Sequence, residues 1–265
     1  MSSPGKWNDL APRVLSGVAM AGLGAGAVWA GGAFLLIVVA ALCGLILWEI
    51  ALMTNPEQKA EALQIGLIAA FGLLLAGLLP GQFSLPLVLA PVLVGAGMLR
   101  ENRGLFAAYG AWIMLAGLGF LMIRGEGGVI LLVWMVLVVV ASDIAGYFVG
   151  KAVGGRRFWP AVSPKKTWSG TIGGWAAAAL VGAVFALLGR AGWHFALLGV
   201  IVAFAAQMGD IAESALKRRL GVKDSSRLIP GHGGVFDRFD AMAGAAVLVL
   251  VLLALGIVDP AMGRG

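Results

Sequence analysis

Runs of about twenty mostly apolar residues recur from one end of the chain to the other, the length needed to cross a lipid bilayer as a helix. Nine such stretches are legible, at approximately 14–30, 32–53, 63–79, 83–99, 105–123, 128–149, 171–189, 194–216 and 237–258. Backbone N–H and C=O groups in lipid must find partners within the segment, so the runs are read as helices. A β-barrel would need short alternating segments, and these runs are unbroken. The expected fold class is therefore all-α, a polytopic integral membrane protein with about nine transmembrane helices. Composition agrees: 60% of the 265 residues are hydrophobic and 12% are charged, against about 25% charged in a soluble domain.

The first two spans nearly touch at Gly31-Gly32, which predicts a tight helical hairpin. Residues 1–27, with Ala25-Gly26-Ala27, also resemble a cleavable signal peptide. The second span that follows at once favours an uncleaved first helix. Many of the 41 glycines lie inside spans, where Gly22, Gly24, Gly26, Gly146 and Gly150 are expected to let helices approach closely. Cys43, the one cysteine, is read as a small packing residue.

Charge fixes the expected orientation. With the N-terminus in the cytoplasm, inside segments hold sixteen basic residues, among them Lys6, Arg13, Lys59, Arg100 and Arg103, with the rest in 150–170 and 217–238. Outside segments hold Arg124, Arg190 and Arg264. That bias obeys the positive-inside rule, and anionic headgroups suit the basic excess. The two long loops need more explanation, because acids, histidine, glycine and serine cluster there with the bases.

The chain divides in chemical character. Residues 1–130 read as a scaffold of transmembrane helices and a possible dimer interface. Within them Glu49, near the end of the second span, is expected to snorkel or cap. Residues 131–265 read as the catalytic region, where ionisable groups enter the spans themselves, a costly arrangement that marks function. Its first piece is Ser142-Asp143 with Tyr147 one turn on, then a loop with Lys151, Arg156 and Arg157. Ser163-Pro164-Lys165-Lys166-Thr167 follows, then Gly170 and Gly173-Gly174 where the next helix starts. Lysines, hydroxyls and a helix N-terminus together favour phosphate. In the second piece Gln207, Asp210, Ser214 and Lys217 are spaced by three, four and three and fall on one helical stripe. Glu213 lies off it. The third piece runs from Lys223-Asp224 through Pro230-Gly231-His232-Gly233-Gly234 to Asp237-Arg238-Phe239-Asp240. Asp237 and Asp240 share a helix face, and with Asp210 they form an oxygen-donor set suited to Mg²⁺. Simple capping is the plainer reading of Asp237. Carboxylates, lysines and a glycine-rich loop together fit phosphoryl or nucleotidyl transfer.

The run Ser214-Ala215-Leu216-Lys217-Arg218, Lys223-Asp224-Ser225-Ser226, Ile229-Pro230-Gly231-His232-Gly233-Gly234-Val235-Phe236-Asp237-Arg238-Phe239-Asp240 resembles the signature of the phosphatidate cytidylyltransferases, without a departure over 27 positions. Asp143, Ser163 to Thr167 and Gly173-Gly174 resemble that family's second region. The likeness covers about 140–240 by motif. It implies nine spans, a cytoplasmic site in a bacterial inner membrane, and often a homodimer. It implies CTP plus phosphatidate giving CDP-diacylglycerol and pyrophosphate, a step of phospholipid synthesis, with Mg²⁺ and room for a second cation beside it. Its partners are then CTP, phosphatidate and membrane lipid, and no nucleic acid. Carried residue by residue, Asp210, Asp237 and Asp240 resemble metal ligands. Asp210, Lys217, Lys223, Asp224, His232 and Arg238 are catalytic candidates, and Asp143, Ser163, Lys165, Lys166, Thr167 and Ser214 are substrate-binding candidates.

Two rival readings stand beside it. A transporter would use Asp143, Asp210 and Asp240 as an ion relay, but the charges cluster toward one membrane side. A CDP-alcohol phosphotransferase would need an Asp-Gly-…-Ala-Arg pattern that is not found here.

Overall fold

A computed structural model describes residues 10–229 and 231–258, with side chains from Val14 onward. Lys6, Arg264 and Pro230 lie outside the described residues, as does the side chain of Arg13. Nine α-helices occur among the described residues: α1 Leu10–Ala30, α2 Gly32–Thr54, α3 Lys59–Leu78, α4 Ser84–Met98, α5 Arg103–Glu126, α6 Gly128–Val153, α7 Trp168–Leu187, α8 His194–Leu220 and α9 Phe236–Ala254. Each falls on one of the nine apolar runs, with ends that differ by a few residues. Seven of them, α2 to α8, are long and apolar enough to cross a membrane, α4 counted with the 3-10 turn Gly81–Phe83 that precedes it. The described apolar part of α1, Val14–Ala30, is shorter, and α9 opens on Asp237, Arg238 and Asp240. The protein is an all-α polytopic membrane protein.

The chain forms two compact units. One holds the residues up to Met114 together with Leu220–Phe239; the other holds Leu115–Arg219 and the residues from Asp240 on. In the first unit α2 packs on α3 and α3 on α4. Lipid tails are as apolar as leucine, so such helices are held by close van der Waals fit rather than by expulsion of water. Gly44 and Gly66 supply it: a Cβ on either would stand 2.7 Å from the other's carbonyl oxygen. Two side-chain amides join the loops at one end. Asn55 Nδ2 donates to the carbonyl of Glu101 (3.0 Å), whose N–H donates back to Asn55 Oδ1 (2.9 Å). Gln58 makes the same exchange with the Met98 carbonyl and the Arg100 N–H.

The break between α1 and α2 falls at Gly31 and Gly32, both at positive φ (61° and 48°), where a side chain would be strained. The expected tight packing is not found along α1. A Cβ on Gly22 or Gly24 would meet nothing within 4 Å, and one on Gly26 would only touch Phe34. Gly22 and Gly24 thus face no packed neighbour among the described residues, and Gly26 makes only an ordinary contact with α2. Cys43 is buried in α2, with its thiol toward the Ile113 carbonyl at 3.7 Å.

In the second unit the principal contact is α6 on α7. Gly146, Gly150, Gly170 and Gly174 meet at the crossing: a Cβ on Gly170 would lie 2.5 Å from the Gly146 carbonyl, and one on Gly174 2.8 Å from that of Ser142. Gly146 and Gly150 thus act as expected from sequence. The segment between these helices is not a plain loop. It is a two-stranded antiparallel hairpin, β1 Arg157–Trp159 and β2 Ser163–Thr167, with Arg157 opposite Thr167 and Trp159 opposite Ser163.

Candidate active site

The second unit builds the site from α6, the hairpin, α7, α8 and the part of α9 that begins at Asp240. Thr167 ends β2 in extended conformation and caps α7, its Oγ1 accepting from the Gly170 N–H at 3.2 Å. The free N–H groups of a helix start attract anions. Lys165 and Lys166 are thereby carried to the mouth of the α6–α7 pair. A cavity of about 630 Å³ opens there, lined by Asp143, Lys151, Arg157, Lys165, Lys166 and Thr167 among others, and by Gln207 and Asp210 from α8. Four basic and two acidic side chains line it, a surplus suited to an anionic ligand. Gln207 Oε1 is fixed by the indole N–H of Trp175 at 3.1 Å.

Beside the cavity, carboxylate oxygens of Asp210, Glu213 and Asp240 lie within 4.8 Å of one another. Gly209 makes this possible, since a Cβ there would strike the Asp240 backbone carbonyl. Two ammonium groups serve the cluster. Lys166 pairs with Asp210, and Lys217 pairs with Glu213 at 2.6 Å. Such an all-oxygen donor set fits a hard divalent cation such as Mg²⁺.

Asp143, Lys165, Lys166, Thr167 and Asp210 therefore line one cavity, and Asp240 stands beside Asp210. Ser163 is not among the lining residues; it pairs opposite Trp159 in the hairpin. Ser214 and Lys217 lie further along α8. Glu213, which helical spacing sets off the polar stripe, is drawn into the acidic group because α9 approaches that side. Arg157, Lys151 and Tyr147 also line the cavity; the basic loop is the signal for Lys151 and Arg157, and the helical turn after Asp143 is the signal for Tyr147.

The other predicted residues belong to the first unit. Lys223 and Asp224 are exposed. The chain then turns sharply: Ile229 and Gly233 pair as an antiparallel bridge, with Gly231 and Gly233 at positive φ (73° and 86°). His232 Nδ1 is 2.8 Å from Ser16 Oγ. Arg238 holds the turn by donating Nε and Nη2 to the His232 carbonyl at 3.0 and 2.7 Å. Asp237 is directed into its own loop. Its Oδ2 accepts from Gly234 N (2.8 Å), Ser225 N (2.9 Å) and Ser225 Oγ (3.0 Å).

Glu49 neither snorkels nor caps its own helix. It is fully buried and accepts from the Val235 and Phe236 N–H groups, both at 2.8 Å, at the start of α9. Ser225 and Ser226 hydroxyls also reach it, at 3.0 and 2.6 Å. The signal for this was an acid inside an otherwise apolar span.

Fold and site together define a polytopic helical membrane protein with a charged cavity among its helices. The chain belongs to the cytidylyltransferase family, which it matches over residues 11–255. The phosphatidate cytidylyltransferase of Brucella suis is 42% identical to it over 160 residues, 59% of this chain and 59% of that protein. The one of Mycobacterium tuberculosis is 39% identical over 148 residues, 54% of this chain and 45% of that protein. The chain thus spans little more or less than half of those relatives' lengths. The one of Bacillus subtilis is 31% identical over 269 residues, 93% of this chain and 98% of that protein.

Proposed function

We propose that this protein transfers CMP from CTP to phosphatidate, forming CDP-diacylglycerol and pyrophosphate. The observation that carries the reading is the basic cavity between α6, the hairpin and α7, joined through the Lys166–Asp210 pair to the acidic group Asp210, Glu213 and Asp240. Family membership and the names of the relatives support the same chemistry.

In the reaction an anionic phosphate oxygen of phosphatidate attacks the α-phosphorus of CTP in line. A new P–O bond forms, the bond from the α-phosphorus to the bridging oxygen breaks, and pyrophosphate leaves. The nucleophile is already ionised, so no side chain need remove a proton. The chain's task is to bring two anions together and take up the charge that develops on the leaving group. Lys151, Arg157, Lys165 and Lys166 would bind phosphate oxygens, helped by the N–H groups at the start of α7. Asp210, Glu213 and Asp240 would hold Mg²⁺, which neutralises polyphosphate when bound. Asp237 enters the proposed ligand set on the family resemblance alone. Lys223, Asp224, His232 and Arg238 are likewise assigned to catalysis by their match to the family motif. The acyl chains of phosphatidate would stay in the bilayer, and the sixteen-to-three asymmetry of basic residues supports a cytoplasmic N-terminus and active site in a bacterial inner membrane. The homodimer belongs to this reading through the resemblance only.

The test is direct. Purified protein in detergent, given phosphatidate, Mg²⁺ and each nucleoside triphosphate in turn, should make lipid-linked CMP and pyrophosphate from CTP. Equal product from ATP or GTP, or none from CTP, would overturn the assignment. Detergent removes both membrane compartments, so turnover there also separates an enzyme from a transporter.

A further inference from the structure

Glu49 is an acid placed fully out of solvent in an apolar helix, where a charge is costly unless it is well bonded. Both oxygens are used. Oε1 accepts from Ser226 Oγ and Val235 N, and Oε2 from Ser225 Oγ and Phe236 N. All four donors are neutral, and among the described residues the carboxylate pairs with no cation. They come in two groups, one at each end of the segment 225–236. The segment between them contains the turn at Ile229 and Gly233 and presents His232; Lys223 and Asp224 flank it on one side and Arg238 on the other. Glu49 touches none of these four. It binds the backbone and hydroxyls that hold them.

Gly234 records how closely the loop is wrapped around this acid, because a Cβ there would collide with Ser225 and Glu49. Asp237 closes the same loop from the opposite end, sharing the Ser225 hydroxyl. Trp112 of α5 packs edge-on to Phe236 at a centroid distance of 5.9 Å, which seats the helix start that Glu49 caps. The Val235 and Phe236 N–H groups are among those that a helix start leaves without intrahelical partners. Here they are served by a side chain 186 and 187 residues away in sequence.

We propose that Glu49 is a positioning residue for the reaction: it clamps both ends of the 225–236 loop and so fixes the functional groups that the loop and its flanks carry. The proposal rests on the reading of the protein as a cytidylyltransferase, but the clamp itself is testable without activity. Glu49→Gln keeps the shape and replaces one acceptor oxygen with an N–H₂ that faces donors. In the purified full chain, kcat should fall at least about tenfold while KM for CTP moves less than about twofold, the mark of groups that act in the transition state. Glu49→Asp, shorter by one methylene, should recover part of kcat. Trypsin should cut after the exposed Arg227 several-fold faster in Glu49→Gln than in wild type. Should that variant fail to fold, Ser226→Ala removes one bond of the clamp, together with the bond that this hydroxyl accepts from the Leu228 N–H, and should still speed this cleavage about twofold or more. Unchanged cleavage at Arg227 in the folded variants overturns the clamp. Unchanged kcat in a folded Glu49→Gln with a released loop overturns the positioning role. A wild-type protein that makes no CDP-diacylglycerol would instead sink the functional reading and leave the proteolysis result to decide the clamp.

Discussion

Lys166 and Lys217 lean on different members of one acidic group, and burial separates what each pair does. The Lys166 and Asp210 side chains are 25% and 36% exposed, so water screens the pair and its contribution to stability is small. Glu213 is 2% exposed and Lys217 16%. Removing an ammonium from a buried carboxylate can cost up to about 3–5 kcal/mol. Asp210→Ala should therefore lower turnover at least about a hundredfold with little change in the thermal unfolding midpoint in detergent. Near-normal CDP-diacylglycerol formation by that variant would remove Asp210 from the site. Lys217→Met should lower the midpoint clearly, and an unchanged midpoint would show the buried pair to be worth little. Spacing along the sequence suggested Asp210 and Asp240, because each could be set on a helix face. It could not rank Glu213, whose place depends on which side of α8 meets α9.

Between elements, glycine decides where backbones meet, and the effect is local. Gly170 faces the Gly146 carbonyl and the Gly150 Cα across the α6–α7 crossing, while Gly22 faces nothing within 4 Å. Gly170→Ala should force the two helices apart or strain them, at a cost of about 1–3 kcal/mol, and should also weaken turnover because this crossing carries Thr167 and the cavity wall. Gly22→Ala should be neutral in both unfolding midpoint and rate. Equal effects of the two substitutions would show that the crossing tolerates a methyl group. The helices themselves were legible, since apolar runs of bilayer length leave the backbone little choice. The β1–β2 hairpin was not. Gly154-Gly155, Pro160 and Pro164 punctuate the segment like an open loop, and its pairing of Arg157 with Thr167 rests on a cross-strand register that no periodicity announces in strands of three and five residues.

Across the whole molecule, the order of functional motifs along the chain conceals one dependence, that of the 225–236 loop on Glu49. An isolated acid in an apolar helix gives no sign of a partner 176 to 187 residues away, and only the folded chain pairs them. The charge balance of the site is easier to reason about, and it leads to a prediction for the intact protein. The cavity carries a basic surplus, yet the acids Asp210, Glu213 and Asp240 gather beside it. On the proposed reading, a triphosphate arriving alone would meet attraction from the lysines and repulsion from the acids. Asp210, Glu213 and Asp240 would act as ligands of Mg²⁺, and the repulsion would then be relieved. Nucleotide binding should thus depend on the metal before any chemistry occurs. A ligand that binds only the folded state at about 100 times its Kd stabilises it by about 2.7 kcal/mol. CTP with Mg²⁺ should raise the unfolding midpoint of the detergent-solubilised protein accordingly, whereas CTP with a chelator should raise it far less. Lys166→Met should diminish the shift in both conditions, because on the proposed reading its ammonium would bind the phosphates directly. An equal shift with and without the chelator would place the nucleotide away from the acidic group and confine the metal, if it acts, to a later step.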